Sequence, residues 1–232
     1  MSTVLRREEK YALAVSEAVC YANRFAQFMQ PDPHTDKSGL YRVRSLYFDT
    51  PDDKDFYDKL NEQNLRRKVR LRIYHSYDTT AKLELKQKEN IYQKKHSMTI
   101  SRQEAISIIN GDYSVLLNYH DPFAAEMFAI MVGECYRPKT VIEYQRKAFI
   151  ARENHIRITF DSCINASESS FDLFSPSLPL HPVLNPSKAI LEIKYTHFVP
   201  GHLADILSQI DRRGFSASKY CLGRQIGHPN SF

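Results

Sequence analysis

Hydrophobic and polar residues alternate with period 2 along much of the chain, the pattern of strands with one face buried. It predicts strands over Arg6 to Leu13, Tyr41 to Asp49, Arg67 to Tyr74, Lys82 to Lys88, Tyr92 to Ile100, Lys139 to Ile150, His155 to Asp161 and Ala189 to Tyr195. Helical spacing separates some of these runs. Val15 to Met29 carries apolar residues three and four apart, and Asp52 or Asp53 is placed to cap a helix through Leu60. Ser101 followed by Glu104 has capping-box spacing, and that helix should stop at Asn110-Gly111. Asp121-Pro122 opens another helix through Glu134, and Pro200 to Ile210 forms a last one. Residues 167–186 are rich in Ser and Pro and read as a long loop. With no repeat, low-complexity tract or linker in the sequence, the expectation is one α+β domain over residues 1–232. Its architecture would be an eight-stranded antiparallel β-barrel with peripheral helices.

Composition narrows the chemistry. The 232 residues are 42% hydrophobic and 25% charged, with 7 Gly, which suits a packed globular chain. Neither G-x-G-x-x-G nor G-x-x-x-x-G-K-[ST] occurs, so a dinucleotide fold and a P-loop are excluded. Cys20, Cys135, Cys163 and Cys221 form no CxxC pair, and the histidines show neither HxH nor HExxH spacing. G-x-S-x-G is absent too, which removes the usual nucleophile elbow. The start of the chain, Arg6-Arg7-Glu8-Glu9-Lys10, is charged where a signal peptide would turn apolar, and the apolar run 123–133 is too short to span a bilayer. A soluble cytoplasmic protein is expected.

The net charge of +5 is modest, and its placement is more informative than its sum. Lys68, Arg70 and Arg72 share one face of their strand, opposite Val69, Leu71 and Ile73. Lys82, Glu84, Lys86 and Lys88 do the same, as do Glu192 with Lys194, Tyr144 with Arg146, and Arg6, Glu8 and Lys10. On a single strand this would be an ordinary solvated face. The same Glu/Lys/Arg pattern recurs on five or six strands, however, and the amphipathic helices need the apolar faces to pack against. The charged faces then line the inside of the barrel, where cations repel one another and a polyanion relieves the repulsion. Interspersed carboxylates suit a divalent metal that bridges phosphates. Tyrosines beside cations also fit an RNA platform, but the regular glutamates would repel a nucleic-acid backbone, and no nucleic-acid partner is expected.

In chain order stand Arg6-x-Glu8-x-Lys10-Tyr11, residues 45–50 (SLYFDT), Lys68-x-Arg70-x-Arg72, Leu83-Glu84-Leu85-Lys86, Tyr144-x-Arg146-x-Ala148-Phe149, residues 157–161 (RITFD), residues 191–195 (LEIKY) and Ser218-Lys219-Tyr220. This series resembles the VTC domain, the polyphosphate polymerase domain of the vacuolar transporter chaperone family, in its stand-alone bacterial form. That domain belongs to the triphosphate tunnel metalloenzyme superfamily. The resemblance implies a tunnel that binds ATP or another triphosphate together with inorganic polyphosphate, and a divalent metal, Mn or Mg. It implies catalytic roles for Lys10, Arg70, Arg72, Arg146, Arg157 and Lys194. Phosphate binding would fall to Arg6, Lys86, Lys94, Tyr144, Ser218 and Lys219, and metal binding to Glu192, Glu8 and Glu84.

Three departures from related patterns stand out. The family has Lys-x-Arg where this chain has Lys94-Lys95-His96, and Ser216 replaces a lysine of the eukaryotic polymerase. Arg6 replaces the first glutamate of the Glu-x-Glu-x-Lys of CYTH cyclases and thiamine triphosphatases, which favours the polyphosphate branch. The implied activity is transfer of the γ-phosphoryl group of ATP to polyphosphate, with export of the product left to a membrane protein in trans. The alternatives are a tunnel triphosphatase, with water as acceptor, and a non-catalytic polyphosphate sensor.

Overall fold

A computed structural model describes residues 6–90, 92–211, 218–224 and 227, with the side chain of Arg6 outside the described set. Its elements in chain order are β1 (Arg6–Ala14), α1 (Val15–Phe25), β2 (Gln30–Pro31), β3 (Tyr41–Asp49), α2 (Lys54–Leu60), β4 (Leu65–Ile73), β5 (Thr80–Glu89) and β6 (Tyr92–Ser101). They continue with α3 (Arg102–Ile109), α4 (Pro122–Gly133), β7 (Arg137–Ala151), β8 (Ile156–Ser167), β9 (His181–Pro182), β10 (Lys188–Thr196), α5 (Gly201–Ser208) and α6 (Lys219–Arg224).

The strand order is β1-β10-β8-β7-β3-β4-β5-β6, with β2 beside β7 and β9 beside β8. The eight long strands and surrounding helices agree with the α+β reading. Among the described residues the path ends at β1 and β6, so the closure expected of a barrel is not among its pairings. Alternation reports which way each side chain points and carries no information on whether the outermost strands pair.

The chain folds into two compact units, each assembled from separate segments. Unit 1 comprises residues 1–42, 144–164 and 184–217, and unit 2 comprises 43–143, 165–183 and 218–232. The divisions at 42/43 and 143/144 fall inside β3 and β7, where no linker composition marks them.

In unit 1, β1, β10 and β8 form antiparallel ladders. Helix α1 buries Ala18, Ala22 and Phe25, and α5 buries Leu203, Ile206 and Leu207. These residues share a core with Leu13, Phe149, Ile158, Phe160, Leu191 and Ile193 from the strands. In unit 2, β3, β4, β5 and β6 form a continuous antiparallel run. Its core combines Leu46, Val69, Leu71, Leu83, Leu85 and Ile100 with Ala105 and Ile108 of α3 and Met127 and Met131 of α4. In both units the helices cover the apolar strand faces.

Two caps form as the sequence predicts. Ser101 Oγ accepts from Glu104 N while Glu104 Oε2 accepts from Ser101 N, and Asp121 Oδ1 accepts from Phe123 N ahead of Pro122. The start of α2 differs from expectation. Asp53 sits at the N-cap with a left-handed φ of 57° and no side-chain cap bond. The end of β3 supplies the cap instead: Asp49 accepts from Asp55 N and Phe56 N, both at 2.9 Å, and Thr50 Oγ1 accepts from Lys54 N. Among the described residues no helix is long and apolar enough to cross a membrane.

Candidate functional site

The charged strand faces of the two units differ, and each is built by strand register. In unit 1, Lys10 of β1 stands opposite Glu192 of β10, which stands opposite Thr159 of β8. The adjacent row is Glu8, Lys194 and Arg157. Signs alternate among Lys10, Glu8, Glu192 and Lys194, while Arg157 sets a second cation beside Lys194. Lys10 Nζ lies 3.0 Å from Glu8 Oε1, and Lys194 Nζ lies 2.8 Å from Glu192 Oε1 and 3.8 Å from Glu8 Oε2. Arg6 pairs with Thr196 at the end of the same ladder.

Arg146 and Asp161 form a fork-to-fork pair, with Nε to Oδ1 at 2.6 Å and Nη2 to Oδ2 at 2.7 Å. Asp161 is fully buried and Arg146 nearly so, with its guanidinium 5.1 Å from the centroid of the Tyr144 ring. Burial by itself would push the Arg146 pKa down. Asp161, with Tyr144 and Glu192 nearby, more than compensates and holds it well above its ordinary value. Arg157 donates through Nη2 to Asp32 Oδ2 at 2.8 Å and to Tyr41 Oη at 2.9 Å. Asp32 in turn meets His34 Nδ1 at 2.8 Å. Among the described residues, two buried polar atoms on β8, Arg157 Nε and Thr159 Oγ1, have no hydrogen-bond partner. A buried polar atom left in this way is costly unless something outside the chain satisfies it.

Unit 2 is far more one-sided. Cross-strand register aligns Arg72 with Lys82 and Thr99, Arg70 with Glu84 and Ser97, and Lys68 with Lys86 and Lys95. Glu84, 2% exposed, is the common counter-ion. Its Oε2 accepts from Arg70 Nε at 2.6 Å and lies 3.9 Å from Arg72 Nε, while Oε1 meets Lys95 Nζ. Burial pushes the Glu84 pKa up, but Arg70, Arg72 and Lys95 together bring it down to about 2. Arg70 also donates to Tyr47 Oη at 3.0 Å, and Arg72 Nε donates to Ser45 Oγ at 3.2 Å. Burial would raise the Tyr47 pKa; Arg70, Arg72 and Lys219 lower it.

Ser218 Oγ accepts from Lys68 Nζ at 2.6 Å, just ahead of α6, which begins at Lys219. Tyr220 fastens this helix. Its ring stacks on Tyr47 at 5.2 Å, and its hydroxyl donates to Asp49 Oδ2 at 2.5 Å.

The sequence-predicted residues thus fall into two sets. Glu8, Lys10, Tyr144, Arg146, Arg157, Glu192 and Lys194 lie in unit 1, and Arg70, Arg72, Glu84, Lys86, Ser218 and Lys219 in unit 2. Lys94 lies apart from both sets. It pairs with Gln87, out of phase with Lys86 and Glu84, and is exposed. The neighbouring Lys95 occupies the charged face and reaches Glu84. The signal was present in the sequence, since Lys94 alternates in phase with buried Met98 and Ile100. Strand phase likewise puts Asp161 with Arg157, and Ser45 and Tyr47 with one another. Tyr41 shares the phase of Ser45 and Tyr47, whereas Asp32, outside the strands, left no such signal. Ser216 lies outside the described residues.

Among the described residues no group of three or more His, Cys, Asp or Glu side chains is arranged to hold a metal. Glu8 and Glu192, with the unpartnered Thr159 hydroxyl opposite Glu192 in register, are hard oxygen donors that fit Mg²⁺ or Mn²⁺ if phosphate oxygens complete the shell. Glu84 is the most tightly held of the three carboxylates, with Oε2 at 2.6 Å from Arg70 Nε and Oε1 against Lys95 Nζ.

The comparison with curated proteins gives no match. Among solved structures, a Hippeastrum protein named for adenylyl cyclase and described as having a dominant triphosphatase activity aligns at 13% identity, with 94% of each chain covered and a TM-score of 0.52. A Bacillus halodurans protein named for adenylate cyclase aligns at 15% identity over 88% of each chain, with a TM-score of 0.45. The Hippeastrum likeness concerns the fold, which it shares with this chain over nearly its whole length. The sequence itself matches the VTC domain over residues 5–228, across the segments of both units and the two charged strand faces they carry, and the chain belongs to that family.

Proposed function

We propose that the protein is a metal-dependent phosphotransferase that moves the γ-phosphoryl group of ATP to the end of an inorganic polyphosphate chain. The observation that supports this most strongly is the density of cations on the strand faces of a VTC-family chain, interleaved with a few carboxylates. Phosphoryl transfer asks the protein mainly for positioning and for charge on the equatorial and leaving oxygens. Arg70, Arg72, Arg146 and Arg157 would provide forked donors, while Lys10, Lys86, Lys194 and Lys219 would provide point charges. Arg6, Tyr144, Ser218 and Lys94 would assist phosphate binding, with Lys95 beside Glu84 as a further cation. Glu192 and Glu8 would hold Mg²⁺ or Mn²⁺, which when bound neutralises charge on phosphate oxygens. Arg157 Nε and Thr159 Oγ1 would find partners in the substrate. The acceptor is a phosphate already anionic at neutral pH, so no general base is assigned.

The second reading is a triphosphatase with water as acceptor. The Hippeastrum neighbour, described by its dominant triphosphatase activity, favours it. Incubation with ATP and Mn²⁺, followed by polyphosphate staining on a gel, separates the two. Stained polymer with ADP is the expected result. Orthophosphate and ADP without polymer would reject the polymerase in favour of the triphosphatase, and tight binding without turnover would leave a sensor.

A further inference from the structure

Helix α6 has six residues, too few to hold a helix in water unaided, so its place is set by what it packs against. Three contacts fix it, all within unit 2. Tyr220 stacks on Tyr47 with ring centroids 5.2 Å apart, meets the Phe56 ring edge-on at 6.2 Å, and donates through its hydroxyl to Asp49 Oδ2 at 2.5 Å. Gly223 lies flush against β7. A Cβ at that position would stand 2.8 Å from Ile142 Cδ1 and 3.1 Å from Thr140 Oγ1, so a side chain there would push the helix off its seat. Arg224 donates through Nη2 to Asp53 Oδ2 at 2.6 Å and through Nη1 to Glu168. Tyr220 and Arg224, one turn apart on the same face of the helix, thus meet Asp49 and Asp53 at the corner between β3 and α2.

One residue of α6 stands apart from this packing. Tyr220 to Arg224 are all buried, whereas Lys219 is half-buried. Its neighbour Ser218 accepts from Lys68 Nζ at 2.6 Å. Burial raises the Tyr47 pKa, and Lys219 joins Arg70 and Arg72 in lowering it, which places the three cations around one hydroxyl. A short helix pinned along its buried residues therefore presents a single cation beside two arginines of β4.

We propose that Tyr220 is a positioning residue: its hydrogen bond to Asp49 seats α6 so that Lys219 stands with Arg70 and Arg72 to meet a phosphate oxygen. The inference rests on the proposed function, in which Lys219 binds phosphate, and deepens it by naming what sets the place of that lysine. An ammonium on a flexible four-carbon stem loses freedom when it binds, and a fixed backbone reduces that cost. Asp49 is a firm anchor, because it also accepts from Asp55 N and Phe56 N at the start of α2.

The test is a double-mutant cycle read by calorimetric titration with sodium tripolyphosphate, using the wild type, Tyr220→Phe, Lys219→Gln and the two combined. Tyr220→Phe keeps the ring and removes only the hydroxyl. Lys219→Gln should weaken binding roughly tenfold and Tyr220→Phe roughly fivefold. The double variant should stay within about twofold of Lys219→Gln, because Tyr220 acts through the lysine. The urea midpoint is measured for each protein alongside. A Tyr220→Phe protein that loses stability yet binds tripolyphosphate as the wild type does would make the bond purely structural and overturn the proposal. Losses that multiply in the double variant would overturn it as well, since a general loosening of the fold acts without regard to Lys219. So would unchanged binding in Lys219→Gln. Should Tyr220→Phe not fold, Asp49→Asn weakens the same bond from its acceptor, and in the cycle with Lys219→Gln it is held to the same outcomes. Failure of the wild type to bind tripolyphosphate would instead overturn the functional reading on which the inference rests.

Discussion

The two units use the same strand pattern for opposite electrostatic ends. In unit 1, cations and carboxylates are interspersed: Lys10 faces Glu192, Glu8 faces Lys194, and Arg146 is locked to Asp161, with Arg157 a further cation beside Lys194. In unit 2 one carboxylate, Glu84, serves two arginines and a lysine, and further cations line up beside them. A lattice of alternating sign can satisfy itself and still offer carboxylate oxygens to a metal. A face with more cations than carboxylates favours a bound anion. On the proposed function, the metal would belong with the carboxylates of unit 1 and the polyanion with the cations of unit 2.

The largest test of this contrast is Asp161→Ala. It leaves the buried Arg146 guanidinium without its forked partner, and should cost about 3–5 kcal/mol in urea denaturation. Triphosphate should recover only part of the loss, because Asp161 is fully buried.

Glu84→Gln is the counterpart in unit 2. Removing the shared counter-ion should cost about 3 kcal/mol. In this variant, tripolyphosphate should raise the melting temperature by more than it does in the wild type, since the added phosphate takes over the lost role. An unchanged ligand effect, combined with a greater requirement for Mn²⁺, would mean that Glu84 is a metal ligand and that the contrast between the units is misdrawn.

Activity separates the units further. Glu192→Gln and Arg72→Ala should each lower turnover by more than tenfold, about 1.4 kcal/mol in barrier, with little loss of folding stability. The metal-concentration dependence of the rate should move in Glu192→Gln, whereas the KM for triphosphate should rise in Arg72→Ala. The same shift in both would place them in one role.

A pH series probes unit 2 from its two faces. The folded-state pKa of Glu84 is lowered to about 2, so its stabilisation is complete above its unfolded value of 4.5 and is lost as pH falls toward 2. Asp55 behaves oppositely. Burial, with Asp49 close by, raises it to about 7, and Tyr136 donates to its Oδ2 at 2.7 Å. Its contribution is complete below 3.8 and is lost as pH rises through 7. Asp55→Asn should therefore remove part of the wild-type decline in urea midpoint between pH 5 and 8, and Glu84→Gln should flatten the decline below pH 4.5. A wild-type pH profile left intact by Asp55→Asn would remove Asp55 from this account.

The smallest effect is expected from Lys10→Ala. The Lys10–Glu8 pair is partly exposed, and its loss should change stability by less than about 1 kcal/mol. A larger loss would mean that the lattice of unit 1 acts as one network.

Much of this arrangement was legible beforehand. Alternation located the eight long strands and put Lys68, Arg70 and Arg72 opposite Val69, Leu71 and Ile73, because a pleated backbone turns successive side chains to opposite faces wherever it lies. The caps at Ser101 and Asp121 were legible for the same reason: a cap depends on residues within one turn of the helix. The ordered charged motifs pointed to the family that the whole-length match establishes.

Other features depend on residues distant in sequence, and local pattern does not carry them. Asp49 caps α2 and takes a hydrogen bond from Tyr220, 171 positions away. Asp32 and Tyr41 restrain Arg157 from more than a hundred positions upstream. The division into two units was invisible because it passes through β3 and β7, each a continuous strand with no break in its composition. The sequence by itself determined which residues are charged and which strand face each one takes, since both are properties of a few consecutive residues. Only the tertiary structure decided that Glu84 answers Arg70, Arg72 and Lys95 while Asp161 answers Arg146, because these partners are chosen by cross-strand register and packing, which are fixed only when separate segments meet.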